Sequence, residues 1–220
     1  MTDAPAPRRG GRQVVPRPEQ WEPGPPPPFP TGFAPALHDV LAAVPAVDGP
    51  MLPAFPNARH SAVLIVLTDV GEGAEVLLTT RSWQLRNHKG EVSFPGGRMD
   101  PGETPTDTAL REAWEEVGLD PSLVTIHGEL EHLNTVVSRS YIVPKVATVP
   151  HRPPLTPHAA EVDRVFWLPL AELTRPGTYR SERWGTRPVD HVLHFFETDD
   201  ETIWGATARM LVDLLERTTG

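Results

Sequence analysis

Residues 96–119 read GGRMDPGETPTDTALREAWEEVGL, and the middle of this stretch carries the signals of one helix. Thr104 stands where an N-cap hydroxyl accepts a free N–H, Pro105 suits the first helical position, and Asp107 falls at the third. Gly118 stands where a left-handed residue closes a helix, so the spacing predicts a helix over 105–117. On a wheel of about 100° per residue with Glu112 at zero, Glu115 falls about 60° to one side and Glu116 about 40° to the other. Leu110, Ala113, Trp114 and Val117 cover a different side. Three carboxylates therefore crowd one face, repelling one another at i,i+3 and i,i+4 spacings. They also sit in the C-terminal half, where the macrodipole disfavours anions. Taken alone, the helix has two readings. One is a solvated acidic face, since repulsion in water is weak. The other is a divalent cation held by the cluster; oxygen donors without cysteine or paired histidine indicate Mg²⁺ or Mn²⁺.

Upstream, 61–70 reads as a buried strand, 71–73 as a turn, and 74–80 as the second strand of a hairpin. Residues 81–97 follow as a seventeen-residue stretch without a regular period. Such a loop inside a compact domain is either functional or disordered. It carries Arg81, Arg86, His88 and Lys89, a local positive charge in an acidic chain. Guanidinium forks suit phosphate oxygens, and free N–H groups near Gly96 and Gly97 could add to them. For His88 and Lys89 the alternative is ordinary surface charge. A short helix is expected over 35–44 and further strands over 124–131, 141–149, 162–168 and 190–197. A helix over 201–216 closes the chain. Strands on both sides of a helix, with few clean βαβ units, point to the α/β class with a mixed sheet. His191 and His194 project to opposite faces of a strand and form no metal-spaced pair.

The chain has 220 residues and 27 prolines, ten of which lie within the first thirty positions. Residues 1–33 are accordingly set apart as an extended, solvated and disordered tail, and 34–220 as the folded domain. A ligand for a proline-binding domain is the other reading of that tail. With no cysteine, disulfides, thiolate metal sites and cysteine nucleophiles are excluded. A formal charge of −9 opposes nucleic-acid and anionic-membrane partners. It does not exclude a small anionic substrate, because a cation and a few arginines can invert the field locally. The longest apolar run, 62–67, is far too short to span a bilayer. Arg8 and Arg9 lack an apolar stretch behind them, so no secretory signal is expected and a cytoplasmic location is. A homodimer is left open.

Gly97, Glu103, Arg111, Glu112, Glu115, Glu116, Gly118 and Leu119 together spell G-x5-E-x7-R-E-x-x-E-E-x-G-L. This segment resembles the signature of the Nudix hydrolases. Ala113 is its one departure, standing where the pattern prefers a larger aliphatic residue. Residues 77–97, LLTTRSWQLRNHKGEVSFPGG, look like the extra motif LLTxRS-x3-R-x3-G-x3-FPGG of the coenzyme A pyrophosphatase branch. Leu77, Leu78, Thr79, Arg81, Ser82, Arg86, Gly90, Phe94, Pro95, Gly96 and Gly97 match. The later LNTVVSRSYIVPKVATV and IWGATARML are similar to that branch as well, although its members often carry one more residue between FPGG and the helix arginine.

The resemblance implies a Nudix-type α/β/α sandwich with a mixed β-sheet. It further implies metal-dependent hydrolysis of coenzyme A or an acyl-coenzyme A to 3′,5′-ADP and (acyl-)4′-phosphopantetheine. Match to the motif makes Glu112, Glu116 and Glu115 the metal ligands, with Glu115, Glu116 and Glu161 as candidates to position or deprotonate water. Glu161 could equally be a surface carboxylate. Glu103 and Arg111 brace the loop by pairing with each other. Arg81, Ser82, Arg86, His88, Gly96 and Gly97 would hold the substrate, and Trp83 could contact its adenine. The rival enzymatic reading is another nucleoside diphosphate derivative such as ADP-ribose or NADH. The rival from another class is a non-catalytic nucleotide-binding domain, which usually lacks a carboxylate of the motif; none is missing here.

Overall fold

The computed structural model describes residues 10–45, 49–71, 73–135, 139–185 and 191–219. In chain order these form β1 (Trp21–Pro23), α1 (Leu37–Ala42), β2 (Arg59–Asp69), β3 (Ala74–Arg81), β4 (Val92–Ser93) and β5 (Gly96–Arg98). Then come α2 (Pro105–Val117), a 3₁₀ turn (Pro121–Leu123), β6 (Thr125–Glu129), β7 (Leu133–Thr135), β8 (Ser140–Thr148) and β9 (Val162–Pro169). The chain finishes with α3 (Leu170–Thr174), β10 (Tyr179–Trp184), β11 (His191–Glu197), β12 (Thr202–Trp204) and α4 (Gly205–Thr219).

The larger sheet runs β4-β3-β2-β8-β6, with β5 on β2, β7 on β8 and β9 on β3. β2 and β8 are parallel while its other pairs are antiparallel, so the sheet is mixed. Because side chains alternate along a strand, β2 feeds both faces. Ala62, Leu64 and Val66 meet Ala109, Ala113 and Val117 of α2 on one face. Ile65 and Leu67 join Val40 of α1 and Leu211 and Leu215 of α4 on the other. The result is the α/β/α sandwich. Ala113 is fully buried against β2, and a small residue there allows α2 to lie close to the sheet.

β7, β10 and α3 are not among the sequence-based expectations, and β4 and the start of β5 fall within residues 81–97, expected to be irregular. Three further departures concern segments that the sequence did assign. First, the described part of the N-terminal stretch contributes β1 to the smaller sheet, β1-β10-β11-β12, although most of its side chains stay exposed. β1 pairs with β10, Ser181 donates to the Pro25 carbonyl at 2.6 Å, and Phe29 is buried against Tyr179 and Phe196. Proline content hides this, because edge pairing and one buried ring need no apolar period. The expectation for residues 1–9 lies outside the described residues. Second, residues 202–204, expected as helix, form β12 on β11; the local pattern does not distinguish a strand completing a sheet edge from a first helical turn. Third, Trp114 is 55% exposed instead of joining the apolar face of α2. Asp190 of the expected 190–197 strand, Glu72 of the hairpin turn and 136–138 of the later motif fall outside the described residues.

Candidate active site

The start of α2 is fixed locally. Thr104 accepts the Asp107 N–H at 3.2 Å, Asp107 accepts the Thr104 N–H at 3.0 Å, and Gly118 closes the helix in the left-handed region at φ 70°. Beyond that cap, His158 N–H donates to the Glu116 carbonyl at 2.8 Å and Thr156 N–H to that of Val117 at 2.9 Å. The loop before β9 thereby supplies donors for carbonyls that a helix end leaves unpaired. It also brings Glu161 alongside the helix.

Arg111 organises the exposed side. Its Nε and Nη2 donate to the two Glu103 oxygens at 2.6 and 3.0 Å, a bidentate pairing. Nη1 donates to Glu112 at 2.9 Å and to Glu115 at 3.2 Å, and Nη2 reaches the Arg98 carbonyl at 3.0 Å. With Thr108 Oγ1 and Asp100 N–H also donating to it, Glu103 is held at a pKa of about 2, chiefly by Arg111. The bracing pair expected from sequence is thus formed. Thr108, buried inside the helix, is a further brace for which the sequence offered no signal.

The inner side is different. Glu116 is 4% exposed, and Gly96 N–H donates to its Oε2 at 3.1 Å. Burial pushes its carboxyl up to about 7, against the pull of that N–H and of Arg81; Glu112 and Glu161 push it further. Glu112 is also raised, first by burial, although Arg111 opposes the shift. Glycine is required at 96, and any side chain at 97 would displace the Glu112 carboxylate. A Cβ on Gly96 would stand 2.4 Å from the Ala62 carbonyl oxygen, and one on Gly97 2.5 Å from the Glu112 carboxylate.

Pairing of β3 with β9 slips by one residue between Thr80 and Arg81. Such a bulge re-aims the side chains beside it. Arg81 Nη1 lies 3.9 Å from Glu116 Oε1. Its Nε is buried and, among the described residues, without a partner. Just past the bulge Ser82 N–H donates to the Glu161 carbonyl at 2.8 Å.

Glu112, Glu116, Glu161, Arg81, Gly96 and Gly97 are thus brought together. Glu115 is 56% exposed, but it shares Arg111 Nη1 with Glu112 and its charge raises that carboxyl. Ser82 is fully buried, its hydroxyl accepting the Gln84 N–H at 3.3 Å. Arg86 and His88 lie exposed on the outer rim of the loop, His88 bonded to Glu91 at 2.9 Å. Among the described residues no three His, Cys, Asp or Glu side chains already converge as a metal cage. The donor chemistry nevertheless suits a hard divalent cation: Glu112 and Glu116 are partly or wholly buried carboxylates, each raised by a neighbouring carboxylate, with one guanidinium no nearer than 3.9 Å to Glu116. A cation bound there would need further oxygens from water or phosphate.

A family model described as the NUDIX domain matches residues 58–189. Nudix hydrolase 3 of Caenorhabditis elegans is 42% identical over 142 residues, a match covering 61% of this chain and 58% of that protein. Nudix hydrolase 22, chloroplastic, of Arabidopsis thaliana is 38% identical over 171 residues, covering 74% of this chain and 56% of that one. The chain therefore spans little more than half of either relative. The uncharacterised Nudix hydrolase NudL of Photorhabdus laumondii is 37% identical over 163 residues, covering 73% of this chain and 86% of that protein. Among solved structures, a MutT/nudix family protein from Enterococcus faecalis superposes with a TM-score of 0.51 at 18% identity, over 76% of this chain and 64% of that one. That likeness is one of fold.

Proposed function

Because this chain belongs to the Nudix family, we propose that it is a hydrolase that uses a divalent cation to cleave the diphosphate of coenzyme A or an acyl-coenzyme A. The products are 3′,5′-ADP and 4′-phosphopantetheine or its acyl form. The observation that carries the hydrolytic reading is the meeting of Glu112, Glu116 and Glu161 with Arg81 at the bulge. Glu112 and Glu116 would hold the cation, Mg²⁺ or Mn²⁺. When bound, it polarises phosphoryl oxygens and lowers the pKa of water.

The chain's own residues supply the rest. Water attacks one phosphorus of the diphosphate, the P–O bond to the other phosphate breaks, and the bridging oxygen leaves with the second product. Glu161, half exposed and close enough for its charge to raise both Glu112 and Glu116, accepts the proton of the attacking water. Arg81, with an unused Nε and a loose hold on Glu116, binds an equatorial phosphate oxygen. Arg111 keeps Glu112 and the loop around Glu103 in register.

The preference for coenzyme A rests on the loop of residues 77–97, which carries the branch motif and presents exposed cations. Most described arginines are tied to carboxylates, as Arg164 is to Asp200 and Arg180 to Glu197. Arg86 and Lys89 hold no carboxylate among the described residues, which leaves them available to an anion.

The test offers the purified chain coenzyme A, dephospho-coenzyme A, ADP-ribose and NADH in parallel with Mg²⁺ or Mn²⁺, and identifies products by mass. Release of 3′,5′-ADP from coenzyme A well ahead of the other three is expected. A preference for ADP-ribose or NADH would discard the substrate while keeping the chemistry.

A further inference from the structure

Arg12 lies in the proline-rich N-terminal stretch, far in sequence from the carboxylate helix, yet the fold delivers it to the rim of the same site. Its two neighbours are clamped to β12. Gly11 N–H donates to Thr202 Oγ1 at 3.0 Å, Thr202 N–H donates to Gln13 Oε1 at 3.1 Å, and the Gln13 amide donates to Glu201. Glu201 in turn accepts the Thr80 hydroxyl at 3.1 Å, one residue before Arg81. Arg12 is therefore anchored on both sides to the end of the strand that carries Arg81.

From there its guanidinium stands over the ring of Trp83, 5.9 Å from the centroid. The Trp83 backbone N–H donates to Asp163 at 3.2 Å, and the indole packs so closely on Gly90 that a Cβ there would meet it at 2.2 Å. Stacking on an aromatic face holds a guanidinium in place while leaving its N–H edge free. Arg17, on the same segment, shows the contrasting arrangement. It stands 3.9 Å over the Trp21 ring, but Glu182 occupies its donors. Arg12 is exposed and holds no carboxylate among the described residues, as is true of Arg86 and Lys89 on the loop that Trp83 shares. In a chain of formal charge −9, cations without a carboxylate on and over the loop that follows Arg81 call for an anion.

We propose that Arg12, delivered by the N-terminal segment and stacked on Trp83, is a specificity-determining residue that binds a substrate phosphomonoester lying outside the diphosphate. The inference rests on the coenzyme A reading, in which the 3′-phosphate is that group. Arg86 and Lys89 share the anion, while the diphosphate itself stays with Arg81 and the carboxylate-bound cation.

The experiment measures binding of 3′,5′-ADP and of 5′-AMP to the full chain by calorimetry, together with steady-state kinetics on coenzyme A and dephospho-coenzyme A. Arg12→Ala is expected to weaken 3′,5′-ADP by about tenfold, within the range of a hydrogen bond to a charged group. The same substitution should leave 5′-AMP unchanged. KM for coenzyme A should rise in parallel with kcat held within about twofold, since the interaction is equal in ground and transition states, and Arg12→Lys should recover part of the loss. Arg17→Ala separates this from loosening of the segment: it should lower Tm and leave the discrimination intact. Equal weakening of both nucleotides by Arg12→Ala, no weakening of either, or a wild-type chain indifferent to the 3′-phosphate would each overturn the inference. Its fate is separable from that of the substrate reading. If coenzyme A is not hydrolysed but the nucleotide discrimination vanishes in Arg12→Ala, the substrate falls and the phosphate site stands.

Discussion

The carboxylate helix and the loop that follows Arg81 meet at the Arg81–Glu116 contact, and they are held by opposite means. α2 and its preceding loop are braced over short sequence distances: Thr104 to Asp107, Glu103 to Thr108 and Arg111, Arg111 to Glu112 and Glu115. The rim is assembled from segments far apart, with Ser82 on Glu161, Trp83 on Asp163 and Arg12 over Trp83. The proposed hydrolytic chemistry sits on the locally determined half. The residues that would choose a substrate sit on the half that tertiary contacts assemble, where loops can vary without disturbing the carboxylates.

Substitutions on the two halves should therefore differ in kind. The largest effect is expected from Glu116→Gln, which keeps shape but removes the buried charge: turnover should fall by about 10³-fold with the far-ultraviolet spectrum unchanged. Retention of more than a tenth of the wild-type rate would remove Glu116 from the reaction. The same residue has a stability signature. Its folded pKa of about 7 lies above the ordinary value of 4.5, so between these values the folded state binds more protons than the unfolded one. Stability contributed by this group consequently falls as pH rises through that window, and the loss is complete above it. In metal-free buffer the wild type should lose up to about 3 kcal/mol relative to Glu116→Gln between the two ends. Paired urea titrations with a pH-independent difference would contradict the burial account.

Next in size is Arg111→Lys. A point charge cannot hold two Glu103 oxygens while also reaching Glu112 and Glu115, so affinity for the activating cation should weaken by about 10- to 100-fold. Stimulation of activity by Mn²⁺ at unchanged concentration would show that the fork is dispensable. The smallest effect belongs to the rim. Arg86→Ala should raise KM by about tenfold or less and leave kcat nearly unchanged, as expected for an exposed cation. A kcat defect comparable to that of Arg111→Lys would erase the distinction between the two halves.

Legibility in the sequence followed the same division. The bounds of α2 are those expected, because a capping box, an N1 proline and a closing glycine are local instructions. The strands around it appear within one to three residues of their expected places. The Glu103–Arg111 pair is one that the resemblance to the Nudix signature implies, and the two side chains do meet. Glu115 fared differently, since a wheel orders directions around an axis but does not show that Arg111 would draw that carboxylate outward. The ring of Trp114, placed on the apolar side by its angle, is exposed, and Ala109, Ala113 and Val117 make the contact with β2. Packing of residues 10–33 has no local signal because its bonds run to partners more than 140 positions away.

By itself, the sequence determined the α/β class, the helix with its three glutamates, and the family, since spacing on one helix and chemistry of side-chain type are properties of a short segment. Only the tertiary structure decided which of those carboxylates are buried and raised, that a strand bulge sets Arg81 beside Glu116, and that Arg12 reaches the rim. Burial and long-range pairing depend on what the remainder of the chain packs against a residue, and no local pattern encodes that.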